Sequence, residues 1–303
     1  MNRLKSLLFV CLLALSAAAV AAPAKTYTVG TLRVEQYGNH GRPLILIPGL
    51  GSGSWVWKDT IEHFRNKYVV YALTLAGFDG VPAPTGESKL FDRADSSLLQ
   101  LIVSRKIDRP VLIGHSLGGT LAIRFAEEHS DMVGGVISVD GLPVFPAMAR
   151  MDADQRKSMA ESIGAQMAQA TPAEFRAQQL SFMQNVGVID PAEAAKYAKL
   201  QGLSDPAATG KYAAEDMAAD YRPGLGKIGV PLLLIAPYNP PDYAKAVRGR
   251  PPLSEEQLLD FYRMLITGAP HAEVVAITPA RHFVMLDQPE KFRHAVAAFL
   301  GKL

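Results

Sequence analysis

The chain has 303 residues, of which 49% are hydrophobic and 20% are charged, and its formal net charge at neutral pH is +2. This length is sufficient for a large hydrophobic core, and the composition excludes an intrinsically disordered, collagen-like or coiled-coil protein. No block of basic residues stands out, which argues against nucleic acid as a partner.

The first 21 residues have the pattern of a secretory signal peptide. A short basic segment at residues 2–5 precedes an uncharged stretch at residues 6–20, which is short for a membrane-spanning helix. Small residues favour cleavage after Ala21, and cleavage after Ala24 is a second option. We therefore expect an exported protein, periplasmic or secreted, without a membrane span after cleavage. An uncleaved membrane anchor is the alternative.

The only cysteine, Cys11, lies within this N-terminal segment. The mature chain would then have no thiol and no disulfide, which excludes cysteine catalysis and thiolate metal sites. Lipid attachment at Cys11 is the alternative, but the preceding Phe9 and Val10 lack the small residue that such sites usually have.

Short apolar runs without alternation recur along the rest of the chain and predict strands that are buried on both faces of a parallel sheet. They lie at residues 44–47, 69–75, 111–113, 136–139, 232–236 and 274–277. Helical patterns separate them, at residues 57–66, 96–104, 117–129, 254–266 and 289–300, and residues 27–37 predict an antiparallel edge hairpin. This alternation predicts an open α/β sheet with helices on both faces.

Residues 141–228 interrupt the alternation and predict several helices rich in alanine, glutamine and methionine. We interpret this segment as a helical cap inserted over the sheet, which divides the core into residues 22–140 and 229–303. Six of the ten methionines lie in the cap. They either fill gaps in its packing or line an adaptable apolar pocket.

The sequence Gly-His-Ser-Leu-Gly at residues 114–118 follows a predicted strand and precedes a predicted helix, which is the context that a G-x-S-x-G nucleophile elbow requires. A sharp turn there would hold the Ser116 side chain above the sheet, and crowding of the backbone would require small residues at positions 114 and 118. The Leu117 N–H, at the helix N-terminus, would point toward an oxyanion formed at Ser116. The alternative is a tight turn in which Ser116 caps the helix.

His282 lies in a loop after the last predicted strand. From there an imidazole can reach over the strand ends to Ser116 and act as general base and then as general acid. The alternative is a surface histidine. His115, beside the serine, should point elsewhere and have a packing or orienting role.

These motifs resemble those of the α/β-hydrolase superfamily. The resemblance rests on the elbow, on the His282 loop with the Asp-Gln-Pro-Glu-x-Phe sequence that begins at Asp287, and on the Pro-Gly-Leu-Gly loop at residues 48–51. It implies a mostly parallel eight-stranded sheet and a catalytic triad in the order Ser, Asp, His. It also implies that the Leu50 N–H joins the Leu117 N–H in an oxyanion hole.

The identity of the triad acid stays open. Members of the superfamily usually have it about five residues after the seventh strand, where this chain has Pro240, and Asp242 is the nearest carboxylate. The rival is Asp140, at the end of the sixth strand, where some members have their acid. The acid must bind the imidazole nitrogen that faces away from Ser116, which geometry can decide.

A serine nucleophile with two backbone donors suits acyl transfer. We expect a serine hydrolase that cleaves a carboxylic ester of a small molecule, with an apolar acyl group, through an acyl-enzyme. The alternatives are a thioesterase, an amidase or another acyl-transfer hydrolase of the same fold, and a non-catalytic binding protein that retains the fold. Dehalogenase or epoxide hydrolase chemistry would need a carboxylate at the elbow, where this chain has Ser116.

No metal-ligand pattern, phosphate loop or dinucleotide-binding sequence occurs in the chain, so we expect no cofactor and no metal. The oligomeric state and any motion of the cap are left open by the sequence.

Overall fold

The computed structural model describes residues 25–86, 88–244 and 252–303. The expected signal peptide, Cys11 and both cleavage positions lie outside the described residues. Within the described ranges, no helix is both long and apolar enough to cross a bilayer.

Eight strands form one sheet in the spatial order β1-β2-β4-β3-β5-β6-β7-β8. Their bounds are β1 Lys25–Val29, β2 Leu32–Tyr37, β3 Pro43–Ile47, β4 Val69–Leu75, β5 Val111–His115, β6 Gly135–Val139, β7 Leu232–Pro237 and β8 Ala272–Ile277. The edge hairpin β1–β2 pairs antiparallel, β2 joins β4 antiparallel, and all other neighbours are parallel. The expected fold, a mostly parallel eight-stranded sheet, is confirmed.

The register of the central strands brings the site loops together. Ile47 of β3 pairs with Gly114 of β5, and His115 of β5 pairs with Val139 of β6. Because parallel strands end at the same edge of a sheet, ligands bind at that edge in open α/β folds. The loops that follow β3, β5 and β6 therefore leave the sheet side by side.

Helices cover both faces of the sheet, as the alternation predicts, and each face has its own apolar cluster. On one face lie α1 Lys58–Phe64 and α11 Pro289–Leu300, and on the other lie α2 Leu90–Ser104, α3 Leu117–Glu128 and α9 Glu255–Ile266. The strands between them are almost fully buried, which accounts for their continuous apolar runs.

The second helix begins earlier than the sequence pattern predicts, at Leu90 and not at residue 96. Lys89 at its N-cap makes no side-chain capping bond. Instead the Glu215 carboxylate accepts hydrogen bonds from the Leu90 and Phe91 N–H groups, at 3.0 and 2.7 Å. A carboxylate satisfies free N–H groups at this end and interacts favourably with the helix dipole, so a residue distant in sequence sets the start of α2.

Between β6 and β7 the chain forms the four main helices of the cap. They are α4 Ala153–Ala168, α5 Pro172–Phe182, α6 Pro191–Gln201 and α7 Pro206–Ala218. Each begins after a residue whose side-chain oxygen accepts a hydrogen bond from the first turn, namely Asp152, Thr171, Asp190 and Asp205. Such caps stabilise helix starts by about 1 kcal/mol each. Where the chain enters and leaves the cap, Val144 and Asp220 form a β-bridge.

The cap also contacts the loop that follows β8. A π-helical turn, Met183–Gly187, follows α5. Its Val186 and Gly187 carbonyls accept hydrogen bonds from the His282 and Phe283 N–H groups, at 3.1 and 3.0 Å. The position of the His282 loop therefore depends on the cap as well as on the sheet. Two short helices, α8 Pro240–Tyr243 and α10 Val284–Asp287, complete the fold.

Candidate active site

Ser116 occupies a strained turn between β5 and α3. Its φ of 52° and ψ of −122° lie in a region that residues other than glycine rarely adopt. A Cβ at position 114 would overlap the Gly118 backbone, and a Cβ at position 118 would overlap the Ile47 and Pro48 carbonyls. The close approach of these segments therefore requires glycine at both positions, as the elbow pattern predicts.

Asp140 is the carboxylate that contacts His282. The Nδ1 atom of His282 lies 2.5 Å from Oδ2 of Asp140, and the two side chains are only 16% and 15% exposed. Asp140 follows β6 directly, and its N–H donates to the Ile235 carbonyl at 2.9 Å. Because a carboxylate only accepts hydrogen bonds, the imidazole proton must be on Nδ1, and Nε2 is free to accept a proton.

Asp242, the other candidate acid, does not contact His282. Its two carboxylate oxygens accept from the Arg281 guanidinium, each at 2.7 Å, and one of them also accepts from Nδ2 of Asn239 at 2.8 Å. The hydrogen bond from Arg281 holds the pKa of Asp242 below its ordinary value. Of the two candidates that the sequence leaves open, Asp140 therefore contacts His282, whereas the Asp242 carboxylate is engaged by Arg281.

The second oxygen of Asp140 is also engaged, by a residue that the sequence pattern did not single out for the site. The hydroxyl of Tyr262, on α9, donates to Oδ1 of Asp140. Tyr262 is buried, and desolvation together with the Asp140 charge raises its pKa well above the ordinary value. Tyr262 lies on the same face of α9 as the buried Leu258 and Leu265, a spacing typical of core residues, and no local signal in the sequence indicates its hydroxyl contact.

His115 lies beneath the site and is fully buried. Desolvation lowers its pKa well below the ordinary value, so the ring is neutral. Its Nε2 lies 3.0 Å from the His282 carbonyl oxygen and must donate there, because a carbonyl only accepts. A Cβ at Gly49 would lie 2.6 Å from Nδ1. His115 therefore packs between the loop after β3 and the loop of His282, in agreement with an orienting role.

Two backbone donors are available near Ser116. Leu117 is the first residue of α3, so its N–H has no partner within the helix. Leu50 lies in the loop after β3 and lines the cavity above Ser116. Among the residues that the structure describes, neither N–H donates to a protein acceptor. The two groups are therefore free to stabilise a developing negative charge.

A cavity of about 560 Å³ lies between the sheet edge and the cap. Ser116, Asp140 and His282 all line it, so the three residues share one space. Its lining is mainly apolar and includes Leu142, Val144, Phe145, Phe182 and Phe283. Of the methionines in the cap, Met167 and Met217 line the cavity, whereas Met148 and Met183 are buried in the packing.

Among the residues that the structure describes, one group of side chains outside the cavity has donor atoms close enough to hold a metal ion. Single donor atoms of Asp95, Glu128 and His129 lie within 4.8 Å of one another. Nε of Arg124 lies 4.0 Å from Asp95 and 3.9 Å from Glu128. Arg124 thus places one positive charge beside these two carboxylates, and none of the four residues lines the cavity.

Two curated proteins are similar in sequence to parts of this chain. The curated epoxide hydrolase 3 of Xenopus tropicalis is 40% identical over 101 residues, which are 32% of this chain and 27% of that protein. The 1-acylglycerol-3-phosphate O-acyltransferase ABHD5 of Rattus norvegicus is 28% identical over 150 residues, 48% of this chain and 42% of that protein. This chain thus spans less than half of the length of these two relatives.

Solved structures share the fold over nearly the whole chain. A thermophilic esterase from Thermogutta terrifontis has a TM-score of 0.71 and 21% sequence identity, over 92% of this chain and 99% of that chain. At this identity the likeness concerns the fold alone. The family model described as "Alpha/beta hydrolase family" matches residues 44–295. The chain therefore belongs to the alpha/beta hydrolase family.

Proposed function

We propose that the protein is an exported serine hydrolase that cleaves carboxylic esters through an acyl-enzyme on Ser116. The observation that carries the proposal is the His282–Asp140 contact on the cavity that Ser116 also lines. A nucleophile, a base and a group that orients the base are the parts that acyl transfer needs.

In the first half of the reaction, the Ser116 hydroxyl oxygen attacks the ester carbonyl carbon while Nε2 of His282 takes the hydroxyl proton. The Leu50 and Leu117 N–H groups stabilise the oxyanion of the tetrahedral intermediate. When the intermediate collapses, the carbon–oxygen bond of the ester breaks, and Nε2 of His282 returns the proton to the departing alcohol. Asp140 holds the imidazole in the required tautomer and stabilises the imidazolium.

In the second half, water attacks the acyl-enzyme, His282 takes a proton from the water, and the released Ser116 regains its proton as the acid departs. Loss of one oxyanion donor raises the activation barrier by about 2.7–4 kcal/mol in enzymes of this type. The mainly apolar lining of the cavity supports an apolar acyl group. A serine at position 116 does not support the carboxylate chemistry of epoxide opening, so that activity is not extended to this chain.

A panel of p-nitrophenyl esters, thioesters and amides tests the reaction. We expect turnover of short or medium acyl esters that is lost in Ser116→Ala, together with labelling of Ser116 by a fluorophosphonate probe. Turnover of thioesters or amides without esters would favour those alternatives. A folded protein that neither labels nor turns over any member would favour a non-catalytic binding protein.

Export is tested separately, with the full chain expressed in a Gram-negative host and the cell fractionated. We expect the protein in the periplasm or medium, with an intact mass that corresponds to cleavage after Ala21 or Ala24. A cytoplasmic protein that retains residues 1–21 would contradict export. A membrane-bound protein with an intact N-terminus would favour the uncleaved anchor, and a lipid-modified Cys11 would favour lipidation.

A further inference from the structure

Asp216 is a carboxylate in the cavity for which the proposed reaction has no use. It lies in the last turn of α7, on the cap, and lines the same cavity as Ser116 and His282. Part of its surface remains accessible, as expected for a side chain that faces a cavity. Protein surrounds the carboxyl on its other sides, and this burial raises its pKa to about 7, with the Thr120 hydroxyl opposing the rise.

The cavity does not provide a countercharge for Asp216. Neither lysine nor arginine occurs among the described residues that line it, and Asp216 forms no ion pair within residues 25–86, 88–244 and 252–303. The other carboxylate of the cavity, Asp140, is already engaged by His282 and Tyr262. Asp216 is therefore the group whose charge a ligand can balance.

Two further features favour a positive charge at this position. The last turn of a helix carries partial negative charge from its peptide dipoles, and Asp216 lies in that turn of α7. Two like charges in a water-poor cavity repel each other strongly, whereas opposite charges attract more than they do in water. A carboxylate of a substrate would thus meet repulsion where a cationic nitrogen would be attracted.

From this arrangement we infer that Asp216 is a specificity-determining residue, which favours esters with a cationic nitrogen in the part of the substrate that lies under the cap and disfavours esters with a carboxylate there. This inference rests on the proposed ester hydrolysis and names its substrate class. The apolar lining fits the carbon chain of such a substrate, and Asp216 fits its charged end.

Pairs of esters separate the effect of charge from the effect of shape when they differ only in one atom, a quaternary nitrogen in one ester and a quaternary carbon in the other. In the acyl series, the p-nitrophenyl ester of 4-(trimethylammonio)butanoate is compared with that of 5,5-dimethylhexanoate. In the alcohol series, butyrylcholine is compared with 3,3-dimethylbutyl butyrate. The two series together cover both orientations of the ester in the cavity. The p-nitrophenyl monoester of adipate provides the anionic member.

The quantity measured is the ratio of kcat/KM for the cationic ester to that for its neutral isostere. We expect Asp216→Asn to lower this ratio about tenfold in at least one series, which corresponds to a modest electrostatic contribution. The same variant should raise the turnover of the adipate ester relative to that of the neutral ester of the acyl series. Asp216→Glu should keep most of the ratio. Asp154→Asn, which removes an exposed charge of the cap on α4, should leave the ratio unchanged.

A binding measurement makes the result independent of turnover. In the Ser116→Ala background, calorimetry should show tighter binding of butyrylcholine or the trimethylammonio ester than of its isostere, and Asp216→Asn should abolish the difference. Equal ratios and equal binding with and without Asp216, in protein with an unchanged circular dichroism spectrum, would overturn the inference. Failure of the proposed function is distinct, since wild-type protein would then hydrolyse no neutral ester.

Discussion

Nδ1 of His282 lies 2.5 Å from Oδ2 of Asp140, although 142 residues separate the two in the sequence. The contact exists because the loops after β6 and β8 leave the same edge of the sheet and the cap turn at Val186 holds the His282 backbone. With Tyr262 on its other oxygen, Asp140 is oriented from both sides. A carboxylate held in this way can orient the imidazole toward Ser116.

The two candidate acids are distinguished by their asparagine variants. We expect Asp140→Asn to lower kcat for a p-nitrophenyl ester by about 10³–10⁴-fold, because an amide cannot stabilise the imidazolium and favours the wrong tautomer. Asp242→Asn should lower kcat less than about tenfold and mainly reduce the melting temperature, because it removes the Arg281 ion pair. A larger loss of kcat in Asp242→Asn than in Asp140→Asn would contradict this assignment.

Tyr262 should act as a positioning residue for Asp140. Removal of its hydroxyl in Tyr262→Phe should lower kcat about tenfold with little change in KM, because a hydrogen bond to a charged group is lost. Tyr238→Phe is the matched control, since the Tyr238 hydroxyl donates to the Leu253 carbonyl at 2.8 Å and not to Asp140. Similar kcat values for the two variants would show that the Tyr262 hydroxyl has no special role.

His115 offers a test of how the His282 loop is held. Glutamine at this position can keep a donor near the Nε2 position, whereas phenylalanine leaves the partly buried His282 carbonyl without this donor. We expect His115→Phe to lower kcat about tenfold and His115→Gln to retain most of it. Steady-state kinetics and melting curves of both variants provide the measurement. An equal loss of kcat in the two variants would argue against a role of this hydrogen bond.

The pH dependence of stability should reveal the buried carboxyl of Asp95. Its burial raises its pKa to about 6, with the Arg124 charge opposing the rise and Glu128, His129 and Asp92 as further charged neighbours. Because the folded state then binds the proton more tightly than the unfolded state, this group contributes stability at low pH that is lost as the pH rises toward 6. As the pH rises from 5 to 7, the free energy of unfolding of Asp95→Asn should therefore increase by about 1 kcal/mol relative to that of the wild type.

Urea denaturation at several pH values measures this difference, and Asp220→Asn serves as a control of opposite sign. Hydrogen bonds from Arg222 lower the pKa of Asp220, so its contribution is lost only as the pH falls below about 4. The effect of Asp220→Asn on the free energy of unfolding should therefore stay nearly constant between pH 5 and pH 7. A difference in the free energy of unfolding between Asp95→Asn and the wild type that stays constant over the same pH range would contradict the prediction.

Local patterns were sufficient for most of the strands and helices of the core and for the elbow turn at Ser116. Continuous apolar runs identified the six mutually parallel strands. Ser254 with Gln257 three residues later is a capping pattern that marks the start of α9, and Pro289 marks the start of α11. The elbow could be recognised from its local glycine pattern, although the crowding at Gly118 comes from the Ile47 and Pro48 carbonyls of a distant segment. The start of α2 could not be recognised, because its capping group, Glu215, lies on α7 of the cap, far away in the sequence.

The sequence by itself therefore determined the fold class, the elbow at Ser116 and the loop of His282, because turns, caps and apolar periodicity act over a few residues. Only the tertiary structure decided that Asp140, and not Asp242, contacts His282, that Tyr262 binds the same carboxylate, and that Asp216 faces the cavity without a countercharge. These relationships join residues of distant segments, and they exist only once the sheet and the cap bring those segments within hydrogen-bonding distance.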